Sequence, residues 1–253
     1  MTEPTDDVTT AHYERLLAPV YTWMIGGLDG AVASNRALLE RYGVAPAADA
    51  SSALDVGAGP GPQSLALAGL GYRVTALDPS DALLDELRAE AERRGLAVEA
   101  VCDAAPLGDR HAGPFDVIVC MTDTLVSLPD AVTARGLIAD AARRLAPGGR
   151  LVLSWRDLTA LPEGDARFLP VRSDGDRILT CFLEAIDDAR VRVHDLLHER
   201  AGDGFEQRVS SYVKLRLAPA TVDRWLEEAG LSVEAADVAR GMQVRVANAA
   251  VRR

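Results

Sequence analysis

Between residues 53 and 155 short apolar runs alternate with amphipathic ones, and this alternation limits the fold more than any other feature of the chain. The runs at 53–56, 72–77, 97–101, 115–121 and 150–155 read as strands. Helical patterns at 62–70, 80–94 and 130–145 lie between them. Strands that alternate with helices pair in parallel through right-handed crossovers. The 115–121 run is almost uninterruptedly apolar, as a strand covered on both faces must be. Ser80 is placed to cap its helix, Asp81 sits in the first turn where the dipole favours an acid, and Gly95 is placed as the stop.

The pattern differs on either side. Residues 1–10 are polar and acidic, and disorder is expected there. From 11 to 43 the apolar positions Leu16, Leu17, Val20, Trp23, Met24, Val32, Leu38 and Leu39 recur at helical spacing. Gly26, Gly27 and Gly30 are expected to break this stretch into two helices. Residues 45–52 read as a linker. Beyond Trp155, strand-like runs at 178–186, 190–198 and 206–217 are joined by Asp187-Asp188-Ala189 and Ala201-Gly202-Asp203-Gly204, both turn-type sequences. They predict a three-stranded antiparallel meander inserted over 157–217. A helix at 219–230 and strands near 232–237 and 242–249 follow. The expected organisation is helices over 1–43, an α/β core over 44–156, the insertion as a substrate cap or dimer contact, and 218–253 completing the core.

A formal net charge of −11 argues against a nucleic-acid partner, because binding phosphates needs clustered cations. No basic-then-apolar leader opens the sequence, and no run approaches the ~20 apolar residues that span a bilayer. A cytoplasmic protein with no membrane partner is expected. Cys102, Cys120 and Cys181 have no regular spacing, so buried reduced thiols are expected and a metal site is not. Lysine is nearly absent and arginine abundant, which reads as compositional bias.

The strongest local signal is Leu54-Asp55-Val56-Gly57-Ala58-Gly59-Pro60-Gly61. A strand that ends in spaced glycines and feeds a helix lets a ligand approach the backbone and its unpaired N–H groups. Where a dinucleotide fingerprint needs its third glycine this chain has Pro62. Asp55, just before the loop, would repel a pyrophosphate and suit a cofactor carrying an ammonium. Asp78, at the end of the second strand and 17 residues past Gly61, is placed to accept hydrogen bonds from ribose hydroxyls.

With these residues the chain resembles the class I S-adenosylmethionine (SAM)-dependent methyltransferases. The first motif is Asp55-x-Gly57-x-Gly59-x-Gly61, and Asp78 sits where the family's ribose-binding acid falls. Cys102-Asp103-Ala104-Ala105-Pro106-Leu107 resembles the segment beside the adenine, 115–121 the fourth-strand motif, and 145–151 the turn before the fifth strand. The run 120–130 and Trp155-Arg156-Asp157 are similar to glycine N-methyltransferase-like enzymes, with Thr122-Asp123-Thr124 in place of Gly-Asn-Ser. His12-Tyr13 and Tyr21-x-Trp23 resemble the lid helices of small-molecule methyltransferases. The resemblance implies a Rossmann-like, doubly wound, seven-stranded, mostly parallel sheet with N-terminal lid helices and the inserted antiparallel meander. It implies SAM as cofactor, held by Tyr21, Asp55, Gly57, Ala58, Gly59, Gly61, Asp78, Pro79, Asp103, Ala104, Cys120, Met121 and Thr122.

The activity so implied is transfer of a methyl group to an N or O nucleophile of a small-molecule metabolite. Such a reaction is an in-line displacement that rests on proximity and alignment, so no obligatory catalytic signature is expected. Asp123, Arg156 and His194 are the acceptor-side candidates, with Arg156 suited to a carboxylate. His194 and His198 share one face of a strand, with no third ligand in view. A non-catalytic SAM-binding scaffold and an NAD-dependent oxidoreductase are the competing readings. The insertion's edge allows a homodimer.

Overall fold

The computed structural model describes residues 5–48, 51–107 and 111–250. Two sheets organise it. The first has seven strands in the order β10-β11-β5-β4-β1-β2-β3: β1 Ser52–Val56, β2 Arg73–Asp78, β3 Val98–Cys102, β4 Phe115–Cys120, β5 Leu145–Trp155, β10 Leu231–Ala239 and β11 Met242–Ala249. The pairs β1 to β2, β1 to β4, β2 to β3 and β4 to β5 are parallel, and β11 runs antiparallel to both β5 and β10. This is the doubly wound, mostly parallel sheet that the alternating pattern implies. Strand order reverses at β1 and β4, whose carboxyl ends therefore open on a crevice.

Helices α4 (Pro62–Leu70), α5 (Asp81–Arg94), α6 (Ala131–Arg144) and α7 (Pro219–Glu228) follow their strands as expected. Asp130 caps α6 by accepting Thr133 N at 2.7 Å. Ser80 holds the cap position of α5, but its side chain makes no capping bond. The core is largely aliphatic, with Leu54, Ile118 and Leu125 fully enclosed along with the indole of Trp155. Gly61 starts α4 at φ 85°, and a Cβ there would lie 2.1 Å from Leu87 Cδ1. Left-handed backbone and overpacking together predict that Gly61→Ala costs about 2 kcal/mol, read as a lowered denaturant midpoint.

The second sheet, in the order β6-β7-β8-β9, is antiparallel. It comprises β6 Phe168–Ser173, β7 Arg177–Ala185, β8 Arg190–Ala201 and β9 Gly204–Leu215. The insertion thus has one strand more than the sequence predicts. β6 is an exposed edge whose pairing slips between Pro170 and Arg172, so it lacks the alternation that marks a half-buried strand.

The N-terminal segment also departs from expectation. Helix α1 (Thr5–His12) occupies most of the stretch expected to be disordered, and residues 1–4 lie outside the described residues. A π turn (Tyr13–Leu17) and a 3-10 turn (Ala18–Val20) carry it into α2 (Tyr21–Met24). Gly26 and Gly27 break the chain, but Gly30 lies inside α3 (Leu28–Arg41). One interior glycine costs a helix only about 1 kcal/mol. Leu16, Leu17 and Val20 pack on Leu179 and Leu197, so the N-terminal segment rests on the second sheet. Among the described residues no single helix is long and apolar enough to cross a membrane. Cys120 is buried and Cys181 partly so, but Cys102, at the tip of β3, is exposed against expectation.

Candidate active site

Gly57, Gly59 and Gly61 all have positive φ, at 77°, 55° and 85°. Gly57 N and Ala58 N donate to Leu77 O at 2.8 and 2.9 Å. Gly59 N donates to Asp78 Oδ2 at 2.8 Å, and Ser80 N to Asp78 Oδ1 at 2.9 Å. The loop is thereby fastened to the end of β2. Burial raises the Asp78 carboxyl above its usual range, against the lowering effect of the Ser80 and Gly59 N–H bonds. Each of its oxygens keeps a further lone pair.

Asp78 lines a cavity of about 210 Å³ with Tyr21, Gly57, Gly59, Pro79, Ser80, Asp103, Ala104, Thr122 and Ser127. A Cβ on Gly59 would meet only Leu83 and Tyr21, each at 4.0 Å, and both line the same cavity. The hydroxyl oxygens of Ser80 and Ser127 are buried without a hydrogen-bond partner. Buried polar atoms are nearly always paired, so these two mark where a polar ligand fits. Among the described residues no Lys or Arg lines the cavity, while Asp78 and Asp103 do. Such walls suit an uncharged nucleoside and repel a pyrophosphate.

Tyr13, Tyr21, Gly57 and Thr122 also line a second cavity, of about 710 Å³, under the insertion. At its floor Thr122 and Asp123 follow β4 with φ of 58° and 74°. That conformation is unusual for a β-branched residue, and neighbours hold it. Ser154 Oγ accepts Thr122 N at 2.9 Å, and Asp123 Oδ1 accepts Arg156 N at 2.7 Å. Asp123 Oδ2 takes Lys214 Nζ at 2.8 Å and an ion pair with Arg156. Burial opposes ionisation of Asp123, but Lys214 and Arg156 outweigh it and hold the carboxyl down to about 2. Burial likewise opposes the charge on Lys214, and Asp123 more than offsets it.

Three tyrosines stand above this group. Burial, then the neighbouring Tyr212 and Tyr21, pushes the Tyr13 hydroxyl well up. Burial and then Asp78 bring Tyr21 to about 12. Burial and then Asp195 raise Tyr212 well above its ordinary value. All three therefore stay protonated and able to donate. Behind them His12 Nε2 meets Asp195 Oδ2 at 2.9 Å, and the His12 ring stacks on Tyr212 at 4.5 Å between centroids. The thiol of Cys181 donates to Asp195 Oδ1 at 2.6 Å.

Residues 53–149 match the family described as the methyltransferase domain. Those residues are a methyltransferase domain. Over 101 residues the chain is 37% identical to a ubiquinone biosynthesis O-methyltransferase of Coxiella burnetii, covering 40% of this chain and 42% of that one. The chain thus spans less than half the length of the curated relatives it matches. Among solved structures it is similar to the CcbJ methyltransferase from Streptomyces caelestis (TM-score 0.75, 20% identity, 98% of each chain). It is also similar to CalS10, an amino pentose methyltransferase from Micromonospora echinaspora (TM-score 0.68, 21% identity, 91% of this chain and 95% of that one). These likenesses concern the fold, and they cover the N-terminal segment and the insertion as well as the matched residues.

The expected cofactor residues, all but Tyr21 within the matched domain, fall into two groups. Tyr21, Gly57, Gly59, Asp78, Pro79, Asp103, Ala104 and Thr122 line the smaller cavity, and Ala58 the larger one. Asp55, Gly61, Cys120 and Met121 line neither. Asp55 is 1% exposed and accepts Ser64 Oγ at 2.6 Å, so its carboxyl holds α4 to β1. Asp103 accepts Ala104 N at 2.9 Å and has His111 Nε2 at 3.1 Å from its other oxygen.

Of the acceptor-side candidates, Asp123 and Arg156 line the larger cavity and His194 does not. On β8 the residues Val191, Val193, Asp195 and Leu197 face inward, so His194 and His198 face away. His194 pairs instead with Glu184 at 2.7 Å. Lys214, Tyr212 and Asp195 are functional candidates that the sequence reading missed, and His12 enters that reading only as part of a lid-like helix. Lys214 had a signal: it is the chain's only lysine, against 26 arginines (27 basic residues less one).

Proposed function

We propose that this protein transfers a methyl group from SAM to a nitrogen or oxygen nucleophile of a small molecule. The observation that carries this reading is the meeting of the two cavities at Tyr13, Tyr21, Gly57 and Thr122. Bound SAM would supply a methyl group on a positively charged sulfur. Asp78 would accept from its ribose hydroxyls, Asp103 and Ala104 would flank its base, and the Ser80 and Ser127 hydroxyls would gain partners. Tyr13 and Tyr21 close the junction from above and exclude water. Asp123 holds its charge for Lys214 and Arg156 and is a weak base, so the chain's contribution is proximity and alignment.

The carboxylate-lined smaller cavity weighs against NAD. The reading extends to an enzyme with no nucleic-acid partner, which the net charge of −11 supports, to a cytoplasmic location without a membrane partner, and to a homodimer, which the exposed edge strand β6 supports. Calorimetry with S-adenosylhomocysteine tests the cofactor assignment. Asp78→Ala is expected to weaken binding by about 2 kcal/mol, roughly 30-fold, through lost charge-assisted hydrogen bonds. A parent protein that ignores this ligand, or a folded variant that binds it equally well, contradicts the assignment. Labelled methyl appearing on any acceptor eliminates a non-catalytic scaffold.

A further inference from the structure

The whole chain carries a net charge of −11, yet the larger cavity is cationic. Arg156, Lys214 and Arg240 line it against two carboxylates, Asp123 and Asp195. Both acids are engaged. Asp123 serves Lys214 and Arg156. Asp195 serves His12 and Cys181. Asp123 is shared between two cations, and Asp195, 2% exposed, already has one partner on each oxygen, so the cations of the cavity outnumber its acids. The donors, by contrast, are in surplus. Lys214 is 6% exposed, and Asp123 Oδ2 is its only hydrogen-bond partner among the described residues. An ammonium has three N–H donors, and leaving them unused away from water is costly. Arg156 keeps its side chain half exposed to the same space. The Tyr21 and Tyr212 hydroxyls add donors and no negative charge, while the Tyr13 hydroxyl is engaged with Tyr212.

We propose that this cavity selects an acceptor molecule carrying a full negative charge, seated on Lys214 and Arg156. The charge sits either on a carboxylate remote from the reacting atom or on the nucleophile itself, as a phenolate or enolate. In the second case the nucleophile arrives without its proton; in the first it is a neutral amine that attacks through its lone pair and releases a proton to water after the transfer, so neither asks the salt-bridged Asp123 to act as a base. The inference rests on the methyltransferase reading and adds the substrate's charge to it.

A sole lysine makes the test direct, because protein labelled with [13C]lysine gives one side-chain NMR signal, that of Lys214. The signal is followed, with and without S-adenosylhomocysteine, while matched probes are added: benzoate against benzamide, and 4-nitrophenolate against 4-nitroanisole. The charged member of at least one pair is expected to shift the signal saturably, at least tenfold more tightly than its neutral partner. Arg156→Met, which retains the reporter, is expected to weaken that binding about tenfold. The first pair reports a remote carboxylate site and the second a site for the ionised nucleophile. Equal response to charged and neutral members, or no response to either anion, overturns the inference. Failure of S-adenosylhomocysteine to bind the same sample overturns the cofactor reading instead, and the anion preference is still read without it.

Discussion

Asp55→Asn is expected to stabilise the protein by about 4 kcal/mol at pH 9 and to have little effect near pH 3. Asp55 is a buried carboxyl at the end of β1, and burial raises it to about 7, against the lowering bond from Ser64. An unfolded aspartate titrates near 3.9. The folded state therefore holds the proton more tightly, and stability falls as pH rises from about 4 to about 7. Three pH units at about 1.4 kcal/mol each give the quoted figure. Asparagine keeps an oxygen for Ser64 Oγ and has no proton to lose. Denaturant unfolding of both proteins across this pH range checks the prediction. A difference that stays constant with pH would show that Asp55 is not buried as a neutral acid.

The second large effect has the opposite sign with pH. Asp123→Ala is expected to cost about 3 kcal/mol at neutral pH, because it leaves Lys214 buried without an anion. The figure is at the low end for a broken buried pair, since Arg156 is half exposed and regains water. Asp123 is held down to about 2, so its stabilisation is present above pH 4 and is lost as pH falls towards 2. The Asp123→Ala, Lys214→Met double variant should recover at least 1 kcal/mol relative to additivity, because the uncompensated ammonium has gone. Purely additive losses in denaturant unfolding would mean that the two side chains do not share one charge network.

The two carboxylates show how far sequence reasoning reaches. Asp55 and Asp78 each sit near a strand end, and charge, position and the family resemblance point both of them at the cofactor. One faces the cavity and the other the Ser64 hydroxyl of α4, because neighbouring strands and helices decide which way a side chain at a strand tip turns. On β8 the sequence did contain the answer. Val191, Val193 and Leu197 share odd-numbered positions, which fixes the even-numbered His194 on the outer face. The edge strand β6 gave no such alternation. Thr122 and Asp123 in left-handed backbone were equally invisible, since nothing local asks for that conformation.

What the sequence by itself determined is local and periodic. Strand–helix alternation set the parallel sheet, the Gly57, Gly59 and Gly61 spacing set the loop, and the turn residues set the hairpins. These follow from interactions within a few residues or between neighbouring elements. Only the tertiary structure decided the acceptor side, because its partners are far apart along the chain: Lys214 meets Asp123 across 91 residues and His12 meets Asp195 across 183. Such pairings depend on how the insertion folds back over the sheet, and no periodicity within a segment encodes that.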